Sequence, residues 1–144
     1  MLYLKKKKEK EMEEKKFSKV QDSGKRQDFS TGSIRDTNEG KPRYDLITPI
    51  ALYRLAMHYA NGSAKYGDRN WEKGQPLGRY IESLERHLQK AKVGLEDEDH
   101  WSAIIWNAMA FIHTKEMIDA GALPKELNDL PEYPEKVKQL LKGE

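Results

Sequence analysis

The chain has 144 residues, 37% of them hydrophobic and 35% charged, with a formal net charge of +2 and no cysteine. The length suits one domain, and the lack of cysteine excludes disulfides, thiolate zinc sites and a cysteine nucleophile, in keeping with a reducing compartment. No apolar run approaches the roughly 18 residues of a membrane span, and the charged start MLYLKKKKEK lacks the apolar region of a signal peptide.

A cytoplasmic protein with no membrane partner is therefore expected. Mean hydropathy is low, −0.93, which predicts that a sizeable part of the chain lies outside the core. A small helical domain of this composition is expected to complete its burial against a copy of itself, as a dimer or tetramer. Charge is unevenly spread: residues 1–43 hold 13 Lys/Arg and 8 Asp/Glu, the remainder 13 and 16. The basic tail could touch nucleic acid, but its interleaved glutamates make that partner unlikely on electrostatic grounds.

Residues 1–28 read as a charged tail. The first sixteen are mostly Lys and Glu with almost no apolar face, which predicts a frayed segment. Up to residue 45, Gly24, Gly32, Gly40 and Pro42 among Ser, Thr, Asp and Asn predict loop. Thr48-Pro49 starts a helix, Leu52, Leu55, Ala56 and Tyr59 continue it at helical spacing, and Asn61-Gly62 is expected to close it. The glycine-rich stretch that follows carries Lys65, Tyr66, Arg69, Asn70 and Trp71. Such side chains on a loop build a ligand lip, or else form a packed loop with Trp71 plugging the core.

A helix is predicted from Leu77 to Val93 with Gly94 as its cap, its core stripe being Ile81, Leu84, Leu88 and Ala91. A second long helix is predicted from about Asp97 to Ala120. It is apolar nearly all round and so should be buried, except along the stripe Glu96, His100, Ala103, Asn107 and Thr114. Buried polar groups need partners or ligands. A domain over 29–122 is expected, followed by a tail over 123–144 with a short helix around Val137, Leu140 and Leu141.

The stretch Glu82–Asn107 organises the rest. Glu82 and Glu85 lie three apart on the first of these helices, and Glu96, Asp97, Glu98, Asp99 and His100 open the second. Two clusters of oxygen ligands facing each other across a helix pair suit hard cations such as Mg²⁺ or Mn²⁺.

The stretches FSTGSIRDTNEGKPRYDLI, AKYGDRNWEKG, RHLQK and GLEDEDHWSAIIWNAMA, in this order over Phe29–Thr114, resemble the phage-associated dATP/dGTP diphosphohydrolase family of the N-terminal type. That family is similar to the MazG-like nucleotide pyrophosphohydrolases. The resemblance implies an all-α, MazG-like small helical bundle completed by homo-oligomerisation, in the host cytoplasm if phage-encoded. It implies metal-dependent cleavage of a nucleoside triphosphate, a purine deoxynucleotide by the family's description, to monophosphate and pyrophosphate. The family pattern Glu-x-x-Glu and Glu-x-x-Asp fits Glu82/Glu85 and Glu96/Asp99 as metal ligands, with Asp97, Glu98 or His100 able to stand in for Glu96. Under this reading Glu82 or Glu98 takes the proton of the attacking water, and Glu85 completes the catalytic carboxylates. Lys65, Arg69 and Arg86 steady the phosphates, Tyr66 or Trp71 stacks on the base, and Asn70, His87 and Asn107 complete the substrate site. A rival reading is a non-catalytic helical dimer that binds nucleic acid or a host protein through its basic tail. No P-loop, G-x-S-x-G or H-E-x-x-H motif occurs.

Overall fold

A computed structural model describes residues 1–16 and 20–143; residues 17–19 of the expected tail lie outside them. The chain divides into two compact units, Met1–Asp45 and Leu46–Glu144. It is all-α apart from one small hairpin.

In the first unit, α1 (Leu2–Lys16) is a continuous helix where fraying was expected, consistent with the high helix propensity of Lys and Glu. A hairpin follows where loop was expected. Its strands β1 (Arg26–Asp28) and β2 (Ile34–Asp36) pair antiparallel in the register Arg26↔Asp36, Gln27↔Arg35 and Asp28↔Ile34. Both are too short and too charged to register as strands by alternation. Side chains hold the hairpin: Arg26 binds Asp22 through both terminal nitrogens at 2.8 and 2.9 Å, and Lys41 donates to Asp36 at 2.9 Å.

The second unit is a bundle of α2 (Pro49–Tyr66), α3 (Leu77–Lys92) and α4 (His100–Asp119), followed by a short α5 (Glu135–Gln139). Helix α4 packs against both α3 and α2. Leu77, Tyr80, Ala110 and Ile118 form the core, backed by Trp71, Trp106, Phe111 and, beyond residue 122, Leu123, Leu127 and Leu130. Val137, Leu140 and Leu141 around α5 are exposed rather than docked.

Two element ends differ from the sequence reading, and both matter for the site. Helix α2 runs through Asn61 and Gly62 to Tyr66 and is capped by Gly67, at φ 90°, a conformation that favours glycine. Lys65 and Tyr66 therefore sit on a helical turn, not on a loop. Helix α4 begins three residues later than expected. Asp99 is its N-cap, accepting from the Ser102 amide at 3.1 Å, so Glu96, Asp97 and Glu98 belong to the preceding turn. Glu96 therefore does not continue the α4 stripe of His100, Ala103, Asn107 and Thr114, because its segment is not helical.

The buried side of α4 is its small and polar one. Ser102, Ala103, Asn107, Ala110 and Thr114 are at most 3% exposed, whereas Trp101 is 54% and Ile112 62% exposed. Small residues let α3 approach closely, and the polar ones find partners. Asn107 Nδ2 donates to the Ala103 carbonyl at 2.8 Å and to Ser83 Oγ at 3.3 Å, and the Tyr80 and Thr114 hydroxyls lie 3.2 Å apart. Among the described residues no buried side-chain nitrogen or oxygen lacks a partner.

Candidate functional site

A cleft of about 430 Å³ opens between α2, α3, α4 and the turn after α2. Three helices supply its walls: α2 and α3 give rows at helical spacing, His58, Gly62 and Tyr66 on one and Ser83 and His87 on the other, and α4 adds Trp106 and Asn107. The turn adds Arg69, Asn70 and Trp71. Arg69 adopts the left-handed conformation, φ 57°, the only described non-glycine residue to do so. That kink aims the short 3₁₀ turn Asn70–Lys73 back onto the bundle. Trp71 then meets His113 edge-on at 4.9 Å and Trp106 at 6.0 Å. It thus fills both roles the sequence left open, core plug and cleft wall.

Beside the cleft stands a chain of imidazoles and carboxylates. His100 is 2% exposed and uses both ring nitrogens. Its Nε2 lies 2.7 Å from Asp97 Oδ1 and its Nδ1 lies 2.8 Å from His87 Nδ1. The bond to His100 holds the Asp97 carboxyl below its ordinary range. An ionised carboxylate only accepts, so Nε2 of His100 carries the proton and donates to Asp97. With both rings neutral, the one proton between the two Nδ1 atoms lies on His87, which donates to His100. Burial pushes the His87 imidazole below the usual histidine range, as it does His58 on the opposite wall. Ligand atoms of His87, Glu98 and His100 all lie within 4.8 Å of one another.

The residues expected at the site thus separate. Tyr66, Arg69, Asn70, Trp71, His87 and Asn107 share the cleft. Lys65 is exposed on the last turn of α2, its ammonium 5.2 Å from the Tyr66 ring centre, and Arg86 binds Glu82; neither lines the cleft. Of the expected metal ligands, His100 and the stand-in Glu98 join His87 in one group, and Glu82, Glu85, Glu96, Asp97 and Asp99 do not. Glu82 sits between Arg79, at 2.6 Å, and Arg86, and these guanidiniums lower its pKa. Glu85 and Glu96 are exposed. Asp97 serves His100, and Asp99 is held by Arg54 through two bonds of 2.6 and 2.8 Å and by Ser102 Oγ at 2.7 Å. Arg54 first, then Ser102, keeps Asp99 ionised far below the normal aspartate range.

Sequence reasoning missed His58, Tyr59, Gly62, Ser63 and Ser83. For the four on α2 the signal was the i,i+4 row, obscured by ending that helix at Gly62; Ser83 lies on α3 four residues before His87.

Among the described residues no helix is long and apolar enough to cross a membrane. No curated protein and no solved structure matches the chain. One family model does match, over residues 31–121, a segment that holds every lining residue of the cleft and all three members of the His87, Glu98 and His100 group. The chain belongs to the family described as dATP/dGTP diphosphohydrolase, N-terminal.

Proposed function

We propose that this chain is a divalent-metal-dependent nucleotide hydrolase that cleaves a purine deoxynucleoside triphosphate between its α- and β-phosphates, releasing monophosphate and pyrophosphate. The observation that carries the reading is that His87 belongs at once to an aromatic-walled cleft and to a group able to hold a cation. A cleft of about 430 Å³ suits a ligand of nucleotide size. The family description supplies the substrate class.

Within the cleft, Tyr66 and Trp71 offer faces for a base. Asn70 and Ser83 offer polar atoms to base or sugar edges, and Asn107 sets the floor. Arg69, now paired with Glu72 at 2.9 Å on the surface, can exchange that carboxylate for a phosphate at little cost. A cation in the group would neutralise phosphate oxygens and acidify the attacking water, the usual contribution of Mg²⁺ or Mn²⁺. The proton acceptors expected from sequence are otherwise placed: Glu82 lies between two guanidiniums and Glu98 beside two imidazoles. His58, kept neutral by burial, is the better acceptor at the cleft wall.

The active form is a homo-oligomer. The outer face of α4 presents Trp101, Ile105, Met109 and Ile112 to solvent. They run beside an apolar groove of about 260 Å³ lined by Tyr80, Ile81, Leu84 and Phe111. A second copy of the chain is the proposed cover, since an apolar face of this extent is rare on a monomer.

Incubation with the common ribo- and deoxynucleoside triphosphates and Mg²⁺ or Mn²⁺, followed by product separation, tests the reaction. Monophosphate plus pyrophosphate from dATP or dGTP is expected, with at least a tenfold loss of kcat/KM in Trp71→Ala. Release of nucleoside plus triphosphate, or no turnover of any nucleotide, overturns it.

A further inference from the structure

We propose that His87, Glu98 and His100 form an imidazole-rich metal centre that takes Mn²⁺, Fe²⁺, Co²⁺ or Zn²⁺ in preference to Mg²⁺, with Asp97 as its positioning residue. This deepens the hydrolase reading by naming the class of metal at the same site, but the argument rests on the ligand atoms themselves.

The two Nδ1 atoms of His87 and His100 lie 2.8 Å apart. Metal–imidazole bonds are about 2.1 Å long, so two such ligands at right angles sit about 3 Å apart, whereas a tetrahedral pair needs about 3.4 Å. The observed spacing is close to that of adjacent ligands in an octahedral shell. Only one proton stands in the way, the one His87 Nδ1 shares with His100. Moving it to Nε2 of the same ring frees both Nδ1 lone pairs with no net change of charge, and a small turn of each ring off the N–N line would face them to a shared ion.

His100 needs no such move. Its Nε2–H is committed to Asp97 at 2.7 Å, and in the neutral ring this tautomer leaves Nδ1 as the ligating atom. A carboxylate behind a ligating histidine is the recurrent device for orienting that ring and raising its basicity. The ring is 2% exposed, so it is also immobilised by packing. Glu98 supplies the oxygen ligand. It lies in the turn before α4, tied there by the His100 amide donating to the Glu98 carbonyl at 3.0 Å, and its exposed side chain is free of the core.

Two imidazoles and one carboxylate suit borderline metals, whereas Mg²⁺ takes oxygen ligands and keeps its waters. Because His87 also lines the cleft, a cation held by this group would border the space the proposed nucleotide would occupy.

Protein stripped with chelator, without nucleotide, is titrated with MnCl₂, CoCl₂, ZnCl₂ or MgCl₂ by calorimetry, by thermal melting and, for Co²⁺, by visible absorption. Mn²⁺ and Co²⁺ should bind one per chain at least 100-fold tighter than Mg²⁺ and raise Tm. Co²⁺ should give a weak six-coordinate absorption band. His87→Gln and Glu98→Gln, both outside the core, should keep the metal-free Tm and lose the Mn²⁺ affinity at least 100-fold; Asp97→Asn should lose 10- to 100-fold. Equal or tighter Mg²⁺ binding, or undiminished Mn²⁺ and Co²⁺ binding in either glutamine variant, overturns the assignment and leaves the His87–His100–Asp97 chain as a packing network. A protein that binds Mn²⁺ this way but turns over no nucleotide keeps this centre and loses the hydrolase reading; the reverse result loses only the centre.

Discussion

Asp99 distinguishes a structural carboxylate from a metal-binding one. By family pattern it is a ligand; in the structure it caps α4 and grips Arg54. Removing an N-cap costs about 1 kcal/mol, and a partly exposed bidentate ion pair adds up to about 1 kcal/mol. Asp99→Ala should therefore destabilise by about 2 kcal/mol, a fall in Tm of roughly 8 to 16 °C for a unit of this size. Asn caps as well as Asp, so Asp99→Asn should lose only the charge towards Arg54, about 1 kcal/mol or less. Neither variant should change Mn²⁺ affinity more than threefold. The sign of the pH dependence follows from the depressed folded-state pKa of Asp99. Its contribution is fully present above the unfolded value of about 3.9 and fades as pH falls below it towards the folded pKa. The Tm gap between wild type and Asp99→Asn should thus be constant from pH 5 to 8 and narrow below pH 4. An Asp99→Ala protein that melts with the wild type, or that keeps its Tm and loses Mn²⁺, refutes the capping argument.

A side chain added at Gly62 meets nothing within 4 Å and would grow into the cleft. Gly62→Leu should hold or raise Tm, since mid-helix glycine costs about 1 kcal/mol, while raising KM for nucleotide at least tenfold in steady-state assays. Asp129→Ala removes the acceptor of the Gly78 amide, 2.8 Å away in the first turn of α3. It should cost about 1 kcal/mol, seen as a lower midpoint in urea with unchanged slope. Ile112→Lys, on the exposed face of α4, should shift the protein from dimer or tetramer to monomer in light scattering after size exclusion. A monomeric wild type at micromolar concentration refutes the proposed assembly.

Periodicity located the two long helices to within a few residues, because α3 alternates faces clearly and Gly94, at φ 77°, stops it. It also picked out His100, Ala103, Asn107 and Thr114 as one stripe of α4, and they are its buried side. The same pattern said nothing about the opposite face, whose large apolar residues looked like core and lie in solvent. Hydrophobicity reports that a surface must be covered, not whether the cover comes from the same chain. The carboxylates were harder to place. Spacing puts Glu82 and Glu85 on one helix, but only coordinates show Arg79 and Arg86 flanking Glu82. Asp99 had the residue type and position of both a ligand and a cap. The imidazole pair was beyond reach from sequence, since His87 and His100 belong to different helices and meet only through the angle of the intervening turn.

The segment after α4 works as a clasp. Leu127 lies against Gly74, where an added Cβ would come within 2.7 Å of its Cδ1, and Asp129 holds the Gly78 amide across 51 residues of chain. The stretch that follows the last long helix is thereby fastened to the entrance of α3, near the middle of the bundle's sequence. Opening the C-terminal stretch and loosening the start of α3 become one event. The Gly78 amide should exchange its hydrogen only when both let go together.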